Sequence, residues 1–258
     1  MTSDAPWAVL RRFTDARIGL GRAGAALPLR EVLKFSMAHA QARDAVTTRM
    51  DWTPLEEELA ALDLETVRIK SAAGDRDTYL RRPDLGRRLS PESRQRLAAM
   101  AGAAPDLLIL VGDGLSSTGV AANAAAVIAT FLPLARKNGW SLAPVLLADQ
   151  ARVALGDEAG ELLGAKAVVV LIGERPGLSS PDSLGAYLTW APAVGRKDAE
   201  RNCISNIRRG GLSAEEAAFK ADWLLREAFR RQLTGVELKD ESNFLLEGGE
   251  AVRTLPEG

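Results

Sequence analysis

AKAVVVLI, residues 165–172, is the most apolar run of the chain, and it opens directly into GERPGLSSPDSLGAYLTWAPAVGRKDAERNCISNI, residues 173–207. A strand that reads apolar without alternation is buried on both faces, as in a parallel sheet with helices above and below. Roughly thirty residues rich in Gly, Pro, Ser and Asn then follow, with an acid at their start and the only cysteine near their end. Open α/β sheets build their ligand crevices beyond the carboxyl ends of strands. The pair of segments therefore predicts both a fold class and a place for a site.

Working outward, the rhythm of strand and helix repeats. TVRIK (Thr66–Lys70), DLLILVGDG (Asp106–Gly114) and APVLLAD (Ala143–Asp149) read as strands, and YLTWAP (Tyr187–Pro192) and CISNI continue the series. Ser90 before Pro91 and Glu92 predicts a helix start. STGVAANAAAVIATFLPLARKNG reads as an Ala-rich helix closed by Gly139, and GDEAGELLG (Gly156–Gly164) as a short one. SAEEAAFKADWLLREAFRRQL (Ser213–Leu233) opens with a capping box of Ser213 and Glu216. The first fifty residues are helical and basic: after Pro28, the residues Leu29, Val32, Leu33, Ser36 and Ala40 recur at helical spacing. The expected architecture is α/β, a doubly wound, mostly parallel, Rossmann-like sheet over residues 56–258, preceded by a small helical domain over residues 1–55.

Composition narrows the function. With 258 residues and a net charge of −1, no basic field points to nucleic acid or to an anionic membrane. One cysteine excludes an intramolecular disulfide and a multi-cysteine metal site, and one histidine forces any Ser-His-Asp or His-metal chemistry through His39. No apolar run reaches about 18 residues and the N-terminus lacks the order of a signal peptide. The expectation is a cytoplasmic chain with no membrane and no nucleic-acid partner.

Two strand-end loops carry the candidate chemistry. Val111–Thr118, VGDGLSST, offers Gly112 and Gly114 for a tight turn and Asp113, Ser116, Ser117 and Thr118 at a helix start, but it lacks a Walker lysine. It reads either as a phosphate cradle or as a structural turn with a serine cap. In the second loop, Glu174 follows a buried strand, where it is aimed into a crevice or paired with Arg175. Cys203 has no histidine near it in sequence, so a packing or pocket-wall role outweighs nucleophilic catalysis. His39 reads as an ordinary helix histidine, and Arg43–Asp44 as a candidate partner contact. The chain has a crevice but no complete catalytic set, the composition of half a site completed by a cofactor or another subunit.

ARIGLGRAGAALP, LREVLKFSMAHAQARDAV, DRDTYLRRPDLGRRL, VVVLIGERPGLSSPDSLGAYLTWAP, DAERNCISNIR and LTGVELKDES together resemble the small (light) subunit of ethanolamine ammonia-lyase, over about Ala16–Ser242. Thr47 and Arg208–Gly211 depart from that pattern. The resemblance implies an adenosylcobalamin-dependent carbon–nitrogen lyase that converts ethanolamine to acetaldehyde and ammonia. It implies a large subunit that holds ethanolamine in a barrel, with this chain closing over cobalamin at the interface and inactive alone. It carries the cofactor contacts onto Val153 in RVALGD, Glu174 in GERPGLSS and Cys203 in RNCISNI, with no catalytic residue and no metal ligand here. It also implies a cytoplasmic enzyme of the kind a bacterial microcompartment can house. His39 lies outside any Asp-x-His-x-x-Gly pattern, which favours cobalamin keeping its own benzimidazole ligand. The rival expectation is a stand-alone Rossmann-like module that binds a nucleotide or phosphate through Gly112–Thr118.

Overall fold

The computed structural model describes residues 5–242; residues 1–4 and 243–258, which the two expected domains include, lie outside it. Its centre is a six-stranded sheet of β1 (Thr66–Lys70), β2 (Leu107–Gly112), β3 (Val145–Asp149), β4 (Ala167–Gly173), β5 (Leu184–Trp190) and β6 (Asn202–Ile207), in the order β1-β3-β2-β4-β5-β6. The pairs β1–β3, β3–β2 and β2–β4 are parallel. The pairs β4–β5 and β5–β6 are antiparallel, so the sheet is mixed at one edge. The physical reason is connection length. Parallel neighbours need a crossover of a dozen or more residues, usually helical, and only a ten-residue loop separates Gly173 from Leu184.

Helices cover both faces. Against one lie α3 (Thr53–Ala60), α6 (Ser117–Lys137) and α8 (Ala214–Arg231), with Leu107, Ile109 and Val111 of β2 beneath them. Against the other lie α5 (Pro91–Ala99) and α7 (Leu155–Leu163), over Leu108 and Leu110. Successive side chains of β2 and β4 thus enter opposite cores, which is why both strands read apolar without alternation. By length and composition α6 would pass for a membrane span, but its Val120, Ala124, Val127, Ile128 and Phe131 are buried beneath it in the sheet core. Phe131, Trp140, Phe229 and Trp190 form a ring-stacked chain joining α6, α8 and β5, with centroids 4.9–6.5 Å apart.

The expected caps are present. Ser90 Oγ accepts from Ser93 N at 3.2 Å, and Ser213 and Glu216 form the reciprocal capping box. Each such cap is worth about 1 kcal/mol.

Upstream, α1 (Ala5–Leu10) and α2 (Leu29–Thr47) precede the sheet, and α3 straddles residue 55, with Trp52, Leu55 and Leu59 inside the sheet's own core. Helix α2 buries only Ala38 and Ala45. Its end is tied down where Arg76, at the start of α4 (Arg76–Arg81), donates to Val46 O at 2.7 Å and to Gly114 O at 2.8 Å.

Candidate functional site

The carboxyl ends of β2, β3 and β4 open on one side of the sheet. The loops after β2 and β4 interlock there. Gly114 adopts φ +57° and a Cβ on it would overlap the Gly173 carbonyl, while a Cβ on Gly173 would overlap the Ser116 carbonyl. Leu115 N donates to Gly173 O at 2.9 Å and seals the contact. Only glycine lets the two backbones approach so closely.

The hydroxyls of the β2 loop are taken up within the protein. Ser116 Oγ caps α6 by accepting from Gly119 N and donates to Pro181 O at 2.7 Å. Thr118 Oγ1 donates to Pro181 O and Ser117 Oγ to Thr48 O. A Cβ at Gly119 would overlap the Ser183 carbonyl, so residues 181–183 sit over the helix start. Asp113 turns inward: its Oδ1 accepts from Ala151 N at 3.1 Å, its Oδ2 lies 3.5 Å from Arg76, and burial pushes its carboxyl up to about 6. Of the two readings of VGDGLSST, this geometry favours the structural turn with a serine cap over the phosphate cradle.

The β4 loop is different. Glu174 N and Ser183 O close its base at 3.0 Å, and Gly177 and Ser180 make its inner turn. Glu174 Oε2 accepts from Ser183 Oγ at 2.6 Å and from Asn206 N at 3.1 Å. The second bond answers a bulge: Leu184 pairs with Ile207 but Ala186 with Ile204, so β6 carries an extra residue, and Asn206 takes φ +61°. Its amide points out of the ladder and the carboxylate receives it. Glu174 Oε1 accepts no hydrogen bond from the described residues and lies close over Gly185. No ion pair joins Glu174 to Arg175, which is exposed, so the structural pairing considered for them does not form.

That cleft, about 430 Å³, is lined by Tyr79, Gly114, Leu115, Arg152, Val153, Ile172, Gly173, Glu174, Arg175 and Tyr187. Val153 and Glu174 thus meet in one cavity although about twenty residues and a helix and strand separate them. Cys203 does not line it, but it stands directly across from Tyr187 in the β5–β6 register. It is exposed on the edge strand, against the burial expected of a lone cysteine. Desolvation by its immediate neighbours still raises its thiol above the ordinary value, partly offset by a hydrogen bond with Tyr187. A raised thiol is a poor nucleophile, which fits a contact role better than a catalytic one. His39 is exposed, stacks on Phe35 and is not among the residues lining the cleft.

Three lining residues escaped the sequence reading. Tyr79 is fully buried, donates to Ala151 O at 2.9 Å, and carries the Arg152 guanidinium over its ring at 4.3 Å. Tyr187 forms the wall between Val153 and Cys203. Strand-end position could have flagged Arg152, just after β3, but nothing in sequence brings Tyr79 to it.

Comparison with known proteins decides the family. The model of the ethanolamine ammonia-lyase light chain (EutC) matches residues 4–239. The chain belongs to the ethanolamine ammonia-lyase small-subunit family. An ethanolamine ammonia-lyase small subunit of Xanthomonas campestris pv. campestris is 58% identical over 240 residues, covering 92% of this chain and 88% of that one. Those of Rhodopseudomonas palustris and Azotobacter vinelandii are 55% and 56% identical, covering 95% and 93% of this chain and 94% and 90% of theirs. The family's relatives are thus named as subunits of a lyase, and a small subunit implies a larger partner.

Proposed function

We propose that this chain is the small subunit of an adenosylcobalamin-dependent ethanolamine ammonia-lyase, forming one wall of the cobalamin site and requiring a large subunit for turnover. One observation carries the reading: Glu174, a lining residue of the cleft, is fixed through Oε2 while Oε1 accepts no hydrogen bond from the described residues. The periphery of a corrin ring is a set of carboxamides, whose N–H groups suit such a carboxylate. Val153 and Ile172 supply the apolar surface, and the exposed Cys203 beside Tyr187 extends the wall towards the sheet edge. A corrinoid exceeds what an open cleft of this size encloses, so the remaining wall belongs to the partner. Adenosylcobalamin supplies homolysis of its cobalt–carbon bond; the residues here bind, orient and exclude water.

The partner's landing surface follows from the exposed apolar side chains. Ten of the thirteen large ones among the described residues lie between Trp7 and Met37, a concentration expected of an interface rather than of a free surface. Leu29, Leu33 and Met37 on α2 share a groove with Leu178 of the β4 loop, and Arg17 reaches Leu178 O at 3.4 Å. The apolar face is therefore continuous with the loop that carries Glu174. We assign this face, between Trp7 and Met37, to the large subunit. In this reading the complex works in the cytoplasm, free or within a microcompartment.

Two measurements test the reading. Purified alone, the chain releases no ammonia from ethanolamine with adenosylcobalamin, and adding the large subunit restores release; robust turnover by the chain alone overturns it. In the complex, Glu174→Gln lowers cobalamin affinity in an absorbance titration, and an unchanged affinity removes Glu174 from the site.

A further inference from the structure

The carboxyl ends of β1, β3 and β2 frame another cleft, of about 290 Å³, which shares no lining residue with the Glu174 cleft. Lys70 ends β1, Asp149 ends β3 and Asp113 follows β2 directly, while Arg49 comes from the chain after α2 and Arg76 from the start of α4. Open α/β sheets bind ligands at such strand ends. The charges here are answered unevenly. Each acid already holds a hydrogen bond: Asp75 accepts from Thr78 N and Oγ1 at 2.8 and 3.0 Å, Asp149 from Trp52 Nε1 at 2.7 Å, and Asp113 from Ala151 N at 3.1 Å. Among the cations, Arg68 is held by Glu56 at 2.5 Å. Arg49 and Lys70 are exposed and make no ion pair or side-chain hydrogen bond among the described residues. Arg76 is only 8% exposed. Its Nε and Nη1 donate to Val46 O and Gly114 O, Asp113 Oδ2 comes no nearer than 3.5 Å, and Nη2 is buried with no acceptor. Buried polar atoms are rarely left so, and bulk water does not reach this one.

Three separate segments thus bring unanswered donors to one cleft whose acids are already bonded. The missing group is an acceptor with oxygens in several directions, which a tetrahedral phosphate offers and a planar carboxylate does not. The volume lies below that of pockets for drug-sized molecules, so the ligand is small. We propose that this cleft, through Arg49, Lys70 and Arg76, binds the phosphate group of a small ligand, either inorganic phosphate or a small phosphomonoester. The site stands apart from the cofactor reading above: loss of cobalamin binding leaves it intact, and its own failure leaves the Glu174 cleft untouched.

The test uses the full-length chain, alone and in complex with the large subunit, and reads binding by titration calorimetry and thermal melting, independent of turnover. The probes are inorganic phosphate, glycerol phosphate and acetate. The two phosphates are expected to bind and to raise the melting temperature, with affinity falling as salt is raised. The tighter of the two names the source the cleft serves. Arg49→Ala and Lys70→Ala are combined because both side chains are exposed and leave the core untouched. The double variant is expected to bind phosphate about tenfold more weakly. Arg76→Lys keeps the charge but removes the orphaned nitrogen, and is expected to weaken binding in a chain that still melts cooperatively; if it does not fold, the double variant decides alone. No binding up to about 10 mM phosphate overturns the assignment. So does unaltered affinity in either folded variant, or equal affinity for acetate. Phosphate that competes with cyanocobalamin in the complex would lie in the Glu174 cleft instead, which also overturns it. Binding by the chain alone that vanishes in the complex would make the cleft a seat for a carboxylate of the partner, and the small-ligand assignment falls.

Discussion

The loops leaving β2 and β4 begin side by side on the same edge of the sheet, and both are rich in Gly and Ser, yet they do opposite things. In Gly112–Ser117 the hydroxyls of Ser116 and Ser117 are bonded to protein carbonyls, and the helix start behind them is covered. In the loop from Gly173 to Ser183 the acid is anchored through one oxygen and leaves the other open. Polar residues at a strand end therefore do not make a site. What makes one is a polar group held rigid by some of its bonding capacity with the rest unanswered.

The largest blow to that comparison is at the seam the loops share. Gly173→Ala puts a methyl group into the Ser116 carbonyl, a backbone atom that cannot yield cheaply, and should cost about 4 kcal/mol or prevent folding. A thermal melt within a few degrees of the unaltered chain would show that the seam is looser than described. Next is the β2 loop's buried acid. Asp113 has an unfolded value near 3.8 and a folded value of about 6, so between those limits the native state keeps a proton that the unfolded chain has lost. Stability from this group is fully present below pH 3.8, falls as pH rises to about 6, and is flat beyond. Asp113→Asn should flatten that part of the profile in chemical-denaturation series, and an unchanged slope would assign it elsewhere.

Glu174→Ala sharpens the comparison from the open side. Losing two hydrogen bonds to a carboxylate should destabilise the isolated chain by about 2 kcal/mol, whereas Glu174→Gln keeps an acceptor and should cost less. Equal melts for the two variants would mean that the anchoring bonds contribute little. Ser116→Ala removes a cap and a tether and should cost about 1 kcal/mol with no change in cobalamin affinity of the complex; a clear affinity loss would make the β2 loop part of the site. Smallest is Cys203→Ser, expected within about 0.5 kcal/mol because the side chain is exposed.

Much of this was legible in the sequence. The apolar runs gave β2, β3 and β4, and Ser90 and Ser213 gave helix starts, because these signals are local. The antiparallel turn of β5 and β6 was missed, although the lack of a helix between Gly173 and Leu184 carried it. Glu174 stood out by its place after a buried strand. Its partners Ser183 and Asn206 did not, because the bulge that frees the Asn206 amide depends on strand register, which no local pattern encodes. Tyr79 and Arg152 meet through the fold alone. The resemblance to the small-subunit family supplied the lyase assignment that the residues, lacking a catalytic set, could not.

The bulge at Asn206 gives the edge strand a built-in sensor. Its amide proton hangs on the carboxylate of a residue that lines the cleft, so anything drawing on Glu174 Oε1 changes the charge shared with Oε2 and hence the grip on that proton. Exchange of the Asn206 amide with deuterated solvent would then report occupancy of the cleft from a position on the neighbouring strand, without a chromophore and without turnover.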